Sequence, residues 1–161
     1  MPTLGIDPGI ASTGYGLIKE DGERLKVIDY GCIKTQSSLE NTSRLKILYR
    51  ELKAIVKKYK PKAIAIEKLF FAANRKTAMA VGQAKGIVIL AAAEMNLKVI
   101  EYTPLEIKVA ITGYGKADKK QMQSMVKTLL KLKSIPKPDD AADALAVAIC
   151  HLHSYKLKGL S

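Results

Sequence analysis

The sequence predicts an α/β domain built on a mixed sheet, and three observations carry that expectation. Extended segments at the start of the chain are joined by a hairpin signal. Short, wholly apolar segments recur later between long helical stretches, and Pro or Gly stands at most junctions. With 161 residues, 48% of them hydrophobic, the chain is long enough to bury about two-thirds of its unfolded surface in one core. A single domain spanning 1–161 is expected, without a linker, internal repeat or low-complexity segment.

Leu4-Gly5-Ile6 reads as a short strand halted by Pro8-Gly9. Gly14 to Ile18 resumes the extended pattern up to Asp21-Gly22, a hairpin signal, and Leu25 to Lys34 returns as a third strand. Leu45, Leu48, Leu52, Ile55, Val56 and Tyr59 keep helical spacing behind the capping candidates Asn41, Thr42 and Ser43, and Pro61 ends the run. Ala63 to Ile66 has the pattern of a buried parallel strand, and Val99 to Tyr102 is another. Between them an Ala-rich helix runs from about Asn74 to Met95. It is apolar on too many sides for a surface helix, so it is either deeply buried or shared with a partner; from the residues alone, core packing is preferred. A short helix follows Pro104 as far as Ile111, and Thr112-Gly113-Tyr114-Gly115 is a loop. Asp118 then caps a helix whose stripe is Met122, Met125, Val126, Leu129 and Leu130, with Lys119, Lys120, Lys127 and Lys131 off it. Pro136 and Pro138 precede a last helix from near Asp139 to about His153.

Lys and Arg number 27 against 15 Asp and Glu, a formal charge of +12 that internal pairing cannot cancel. Such an excess favours a polyanionic partner, although charge alone also fits a solvated basic surface or a membrane surface. No uncharged stretch, Gly86 to Ala93 included, approaches the roughly 20 apolar residues that span a bilayer. Met1-Pro2-Thr3-Leu4 lacks the features of a secretory signal, so a cytoplasmic location is expected, with no membrane partner. Cys32 and Cys150 show no Cys-x-x-Cys spacing and are expected to be reduced and buried.

Four acids stand at element ends. If strands one and four are parallel neighbours joined by a right-handed crossover, Asp7 and Glu67 sit side by side at their carboxyl ends, the edge where ligands gather in open α/β sheets. Asp140 and Asp143, three residues apart, share one face of the last helix's first turn, where the helix dipole keeps them ionised. Carboxylates gathered this way repel unless a cation lies between them, and hard oxygen ligands suit Mg²⁺ or Mn²⁺. Taken singly, Asp7 could brace the Pro8-Gly9 turn, and Asp140 and Asp143 could be ordinary helix-start acids. Glu67 closes an apolar strand, where a charge usually needs a partner. His151 shares the Asp140 and Asp143 face but lies about 16 Å along the helix, too far for one metal, and reads as a surface or helix-end histidine.

Gly5-Ile6-Asp7-Pro8-Gly9 followed by Thr13-Gly14-Tyr15-Gly16 resembles the opening of the RuvC family of bacterial Holliday-junction resolvases. Ile66-Glu67-Lys68-Leu69-Phe70 looks like the family's second acidic motif, and Asp140-Ala141-Ala142-Asp143-Ala144-Leu145-Ala146 like its third. Gly82-Gln83-Ala84-Lys85-Gly86 resembles its central helix, so the likeness covers nearly the whole chain. Asp-x-Gly alone also opens actin-like kinases and ATPases; three acidic motifs in order are far more specific. The resemblance implies an RNase H-like mixed five-stranded sheet in the order 3-2-1-4-5. It also implies a homodimer that nicks two strands of a four-way DNA junction symmetrically, leaving 5′-phosphate and 3′-hydroxyl ends, alongside a branch-migration motor of RuvA and RuvB proteins. The family's fourth ligand is Asp or His, and Asp143 with Asp140 gives the all-carboxylate version.

In a two-metal site of this kind, Asp7 would bridge two Mg²⁺ ions about 4 Å apart, with Mn²⁺ as a substitute. By resemblance Glu67 and Asp140 complete one ion each, and Asp143 is a ligand or orients one. Lys108 and Lys119 match the family's basic positions at helix starts flanking the Gly113 to Lys116 loop, where fixed cations would meet charge developing on phosphate. Lys116 and Lys120 would support binding, and Arg75, Lys76 and Lys85 complete the expected DNA-binding set. Phe70 and Phe71 are the chain's only phenylalanines. Phe70 is assigned by resemblance to wedging against a base at the junction, and Phe71 to the core; a staple on the next helix is the structural alternative. Rival functions are a nuclease of the same fold acting on RNA and a non-catalytic four-way-junction binder. An actin-like ATPase would need a duplicated domain.

Overall fold

The computed structural model describes residues 1–68 and 75–157. Strands β1 (Thr3–Asp7), β2 (Ser12–Asp21) and β3 (Arg24–Lys34) form an antiparallel meander, and α1 (Asn41–Tyr59) leads to β4 (Ala63–Glu67). Helix α2 (Arg75–Glu94) precedes β5 (Lys98–Tyr102), after which come α3 (Pro104–Thr112), α4 (Lys119–Leu129) and α5 (Asp139–Leu157). The strand order is β3-β2-β1-β4-β5, with β4 parallel to both β1 and β5. This is the mixed sheet expected of an RNase H-like domain.

The two-residue period of the strands sorts the two faces. Leu4, Ile6, Leu17, Ile64 and Ile66 point to one side, into a core closed by α1 and α2 through Leu48, Leu52, Val56, Ala84 and Val88. Gly5, Gly14, Gly16 and Ala65 lie on the other side, beneath α5. Large residues on one face and small ones on the other let α5 settle close to the sheet. Asp7 and Glu67 follow in the same alternation, so both stand on the α5 face at the strand ends. Each fully buried aliphatic chain contributes about 1.5–3 kcal/mol relative to exposure.

Helix α5 is buried without a break from Ala144 to Leu152, held between the sheet and α3 and α4. It also runs beyond His153, to Leu157. The expectation for His151 is corrected: it is 3% exposed, and its Nδ1 lies 2.8 Å from the Tyr102 hydroxyl. Burial, then Lys62, lowers its pKa and favours the neutral ring. Helical position told which face His151 shares but not that α5 is covered on every side. Asn41, Thr42 and Ser43 form the first turn of α1, with Glu40 at the cap position. Cys150 is buried, whereas Cys32 is only half-buried, and both are free.

Helix α2 buries Ala78, Ala84, Val88, Ala91 and Ala92 against the sheet and α1 but leaves Met79, Ile89 and Leu90 in solvent. Core packing therefore accounts for only one of its faces. Among the described residues, no helix is long and apolar enough to cross a membrane.

Candidate active site

The parallel pairing of Ile6 with Ile66 sets Asp7 and Glu67 at neighbouring strand ends, as the crossover topology predicts. Helix α5 starts over the same edge. Asp7, Asp140 and Asp143 each offer a carboxylate oxygen, and these atoms lie within 4.8 Å of one another. Glu67 stands outside that trio but lines one cleft with Asp7 and Asp143. It is exposed at its strand end, not sunk in the apolar layer that its sequence position suggested.

The electrostatics follow from crowding. Burial raises the Asp7 carboxyl to about 8, and Asp143, Asp140 and Glu67 push it the same way. The Glu67 carboxyl is also raised, by desolvation against the strand end and by Asp143, with Lys108 opposing. Desolvation raises Asp143 too, while Lys119 acts against it. Metal-free, the cluster is an arrangement of mutually repelling oxygens that a cation would relieve. Its donors are hard carboxylates, with no sulfur or imidazole among them, and this chemistry fits a divalent ion of the magnesium type.

The turn beneath the cluster is tied down locally. Thr13, fully buried, donates from its hydroxyl to the Gly9 carbonyl at 2.5 Å and accepts the Gly9 N–H at 3.3 Å. That pair of bonds closes the loop after Asp7-Pro8. The cleft, about 330 Å³, is walled by Ile107 and Lys108 of α3, Lys119, Met122 and Val126 of α4, and Asp143 and Val147 of α5. On the far side of Asp140 a second open groove runs between the Gly9–Ser12 turn, Asn41 and Arg44 of α1, and Lys76 and Thr77 of α2.

Residues 3–151 match the family model of crossover junction endodeoxyribonuclease RuvC. The chain belongs to the RuvC family. Similar proteins include the crossover junction endodeoxyribonucleases RuvC of Alkaliphilus oremlandii, 56% identical over 96% of this chain and 94% of that one, and of Caldicellulosiruptor saccharolyticus, 58% identical over 96% and 93%. Among solved structures, Thermus thermophilus RuvC superposes with a TM-score of 0.91 at 33% identity, covering 99% of this chain and 97% of that one. The same protein in complex with a Holliday junction substrate gives 0.93 at 32% identity, covering 98% and 96%.

Within this RuvC-family fold the basic residues divide. Lys108 and Lys119 both line the cleft with the acids, but Lys108 lies mid-helix in α3 and not at a helix start; Lys119 is the first residue of α4. Asp118 caps α4 in a reciprocal capping box with Gln121, and this cap aims the first turn at the cleft. Lys119 Nζ also pairs with Asp139 at 3.0 Å, an exposed contact that sequence spacing did not suggest. Lys85 lines a small pocket beside Asp7 and Glu67 while its Nζ holds Glu101 at 2.8 Å. Arg75, Lys116 and Lys120 are exposed, and Lys76 borders the groove beyond Asp140. Phe70 and Phe71 lie outside the described residues. Asn41 and Arg44 border the same groove as Lys76, a placement that nothing local in α1 foretells.

Proposed function

We propose that this protein resolves Holliday junctions as a metal-dependent endodeoxyribonuclease in DNA recombination and repair. The observation that carries the reading is the gathering of Asp7, Asp140 and Asp143, with Glu67 beside them, at the open edge of the sheet in a chain of the RuvC family. Its relatives carry the name crossover junction endodeoxyribonuclease, and one neighbour was solved with a Holliday junction substrate.

Asp7, Glu67, Asp140 and Asp143 would hold Mg²⁺, two ions per site, with Mn²⁺ as a substitute. Bound there, the ions would polarise the scissile phosphate, activate water and neutralise the leaving oxygen. The chain's own residues do the rest. Asp7, raised to about 8 without metal, must give up its proton before it can act as a ligand. Lys108 and Lys119 stand on the cleft wall to meet charge on the phosphate, and the apolar wall of Ile107, Met122 and Val126 limits water there. Arg75, Lys76, Lys85, Lys116 and Lys120 would bind backbone phosphates, and Phe70 would wedge against a base. The products would carry 5′-phosphate and 3′-hydroxyl ends.

Two symmetric nicks call for two active sites. We assign them to a homodimer, supported by the uncovered apolar face of α2 at Met79, Ile89 and Leu90. The protein would act in the cytoplasm beside a RuvA and RuvB motor. Cleavage of a synthetic four-way junction, a linear duplex and an RNA–DNA hybrid, with Mg²⁺ or chelator, tests the assignment. Paired, ligatable nicks confined to the junction and dependent on Mg²⁺ are expected. Preferential cutting of the hybrid would overturn it in favour of an RNA-directed nuclease.

A further inference from the structure

Helix α5 lies closer to the sheet than any strand side chain would permit at its first turn. A Cβ built on Gly14 would stand 2.0 Å from the Asp140 carbonyl oxygen, 2.3 Å from its carbonyl carbon and 3.0 Å from the Ala141 nitrogen. All three are backbone atoms, which cannot swing aside as the end of a side chain can. Gly14 is not among the glycines with positive φ, so the position demands empty space and not a special backbone conformation.

Gly14 is also the residue paired with Asp7 across the β1–β2 ladder. One backbone-to-backbone contact therefore sets the separation between the strand carrying Asp7 and the helical turn carrying Asp140 and Asp143. Of the other two glycines under α5, Gly5 repeats this contact and Gly16 does not. A Cβ on Gly5 would meet the Ala144 carbonyl oxygen at 2.0 Å, next to Asp143, whereas one on Gly16 would first meet the Leu145 side chain, at 2.7 and 2.8 Å.

We infer that Gly14 is a positioning residue for the carboxylate cluster: by having no side chain it lets the first turn of α5 rest on β2, and so sets the spacing that a divalent ion needs. This rests on the reading of the carboxylates as the nuclease site. An alanine there would have to push the turn back by about 1 Å, from 2.0 Å to the 3.0 Å below which real contacts essentially never fall. Displacements of roughly that size lower catalytic rates by about a hundredfold.

The test compares the full-length Gly14→Ala, Gly16→Ala and Asp140→Asn proteins with wild type. Mn²⁺ binding is measured by calorimetry without DNA, and junction binding and cleavage are measured in parallel. Gly14→Ala is expected to weaken Mn²⁺ binding by about 10- to 100-fold, the range seen when groups that orient metal ligands are lost. Cleavage should fall about a hundredfold while junction affinity holds. Gly16→Ala should lower thermal stability but keep Mn²⁺ binding, and adding Asp140→Glu to Gly14→Ala should recover part of the lost metal affinity by extending the carboxylate. If Gly14→Ala does not fold, Gly5→Ala applies a like displacement from β1; failure of both to fold would overturn positioning in favour of packing alone. Normal cutting by Asp140→Asn would sink the nuclease-site reading itself. An inactive Asp140→Asn beside a Gly14→Ala that binds Mn²⁺ and cuts like wild type would sink only the inference about Gly14.

Discussion

In the proposed site, Asp7 combines a ligand's role with a liability. In the metal-free protein it keeps its proton up to about pH 8, while in the unfolded chain it ionises near 3.8. Between those values the unfolded chain is the form that has released a proton, so raising the pH favours unfolding. Stability of the metal-free protein should thus fall as pH rises from about 4 to about 8, and Asp7→Asn should remove that part of the slope. Thermal melts in chelator at about pH 7.5 are predicted to show the variant a few degrees above wild type, at about 2–4 °C per kcal/mol for a chain of this size. Mg²⁺ should restore wild type, and more at pH 8 than at pH 5.5, but should leave the variant little changed; equal melting points in chelator would contradict this. The acids were legible because each occupies an element end or an i, i+3 pair. Gly14 was visible as the start of a strand and a motif letter but not as a spacer, since that role depends on a helix that arrives more than a hundred residues later. His151 was misplaced for a related reason: what covers the second side of α5 is decided by α3, α4 and β5.

The helices differ in how well their composition reports their fate. Helix α4 declares its stripe, and Val126 and Leu130 are buried where the spacing put them, with Met122, Met125 and Leu129 partly so. Helices α2 and α5 are both Ala-rich and weakly striped, yet α5 is the central buried helix and α2 keeps an apolar face in water. Sequence composition could not choose between them, because small apolar residues suit both close sheet packing and close approach of a second chain. The α2 face makes a specific prediction. Leu90, 50% exposed beside Ile89 at 42%, should lose self-association on Leu90→Glu. Sedimentation velocity is expected to show a dimer for wild type and a shift toward monomer for the variant, with the melting temperature little affected because the side chain is not in the core. An unchanged dimer would place the interface elsewhere.

At the scale of the whole molecule, the mixed α/β class was legible from the hairpin signal and the two short apolar strands, but the order of strands was not. Strand neighbours come from the register of Ile6 with Ile66 and of Glu67 with Tyr102, long-range pairings that local periodicity does not contain. The order entered through resemblance to a family, and the sheet agrees with it. A basic chain of net charge +12 thereby concentrates acids at one edge and lines the adjoining cleft with Lys108 and Lys119. Such a surface suits a polyanion, and the carboxylates at its edge suit the divalent ion proposed to act there. The most direct test sets wild type against Asp7→Asn on a synthetic four-way junction in Mg²⁺, with binding and cleavage scored together. Paired symmetric nicks by wild type, and a variant that binds the junction equally well yet leaves it intact, are the predicted result. Junctions bound but never cut by wild type with any divalent ion, or cut as well by Asp7→Asn, would mean that the carboxylates are not the active site.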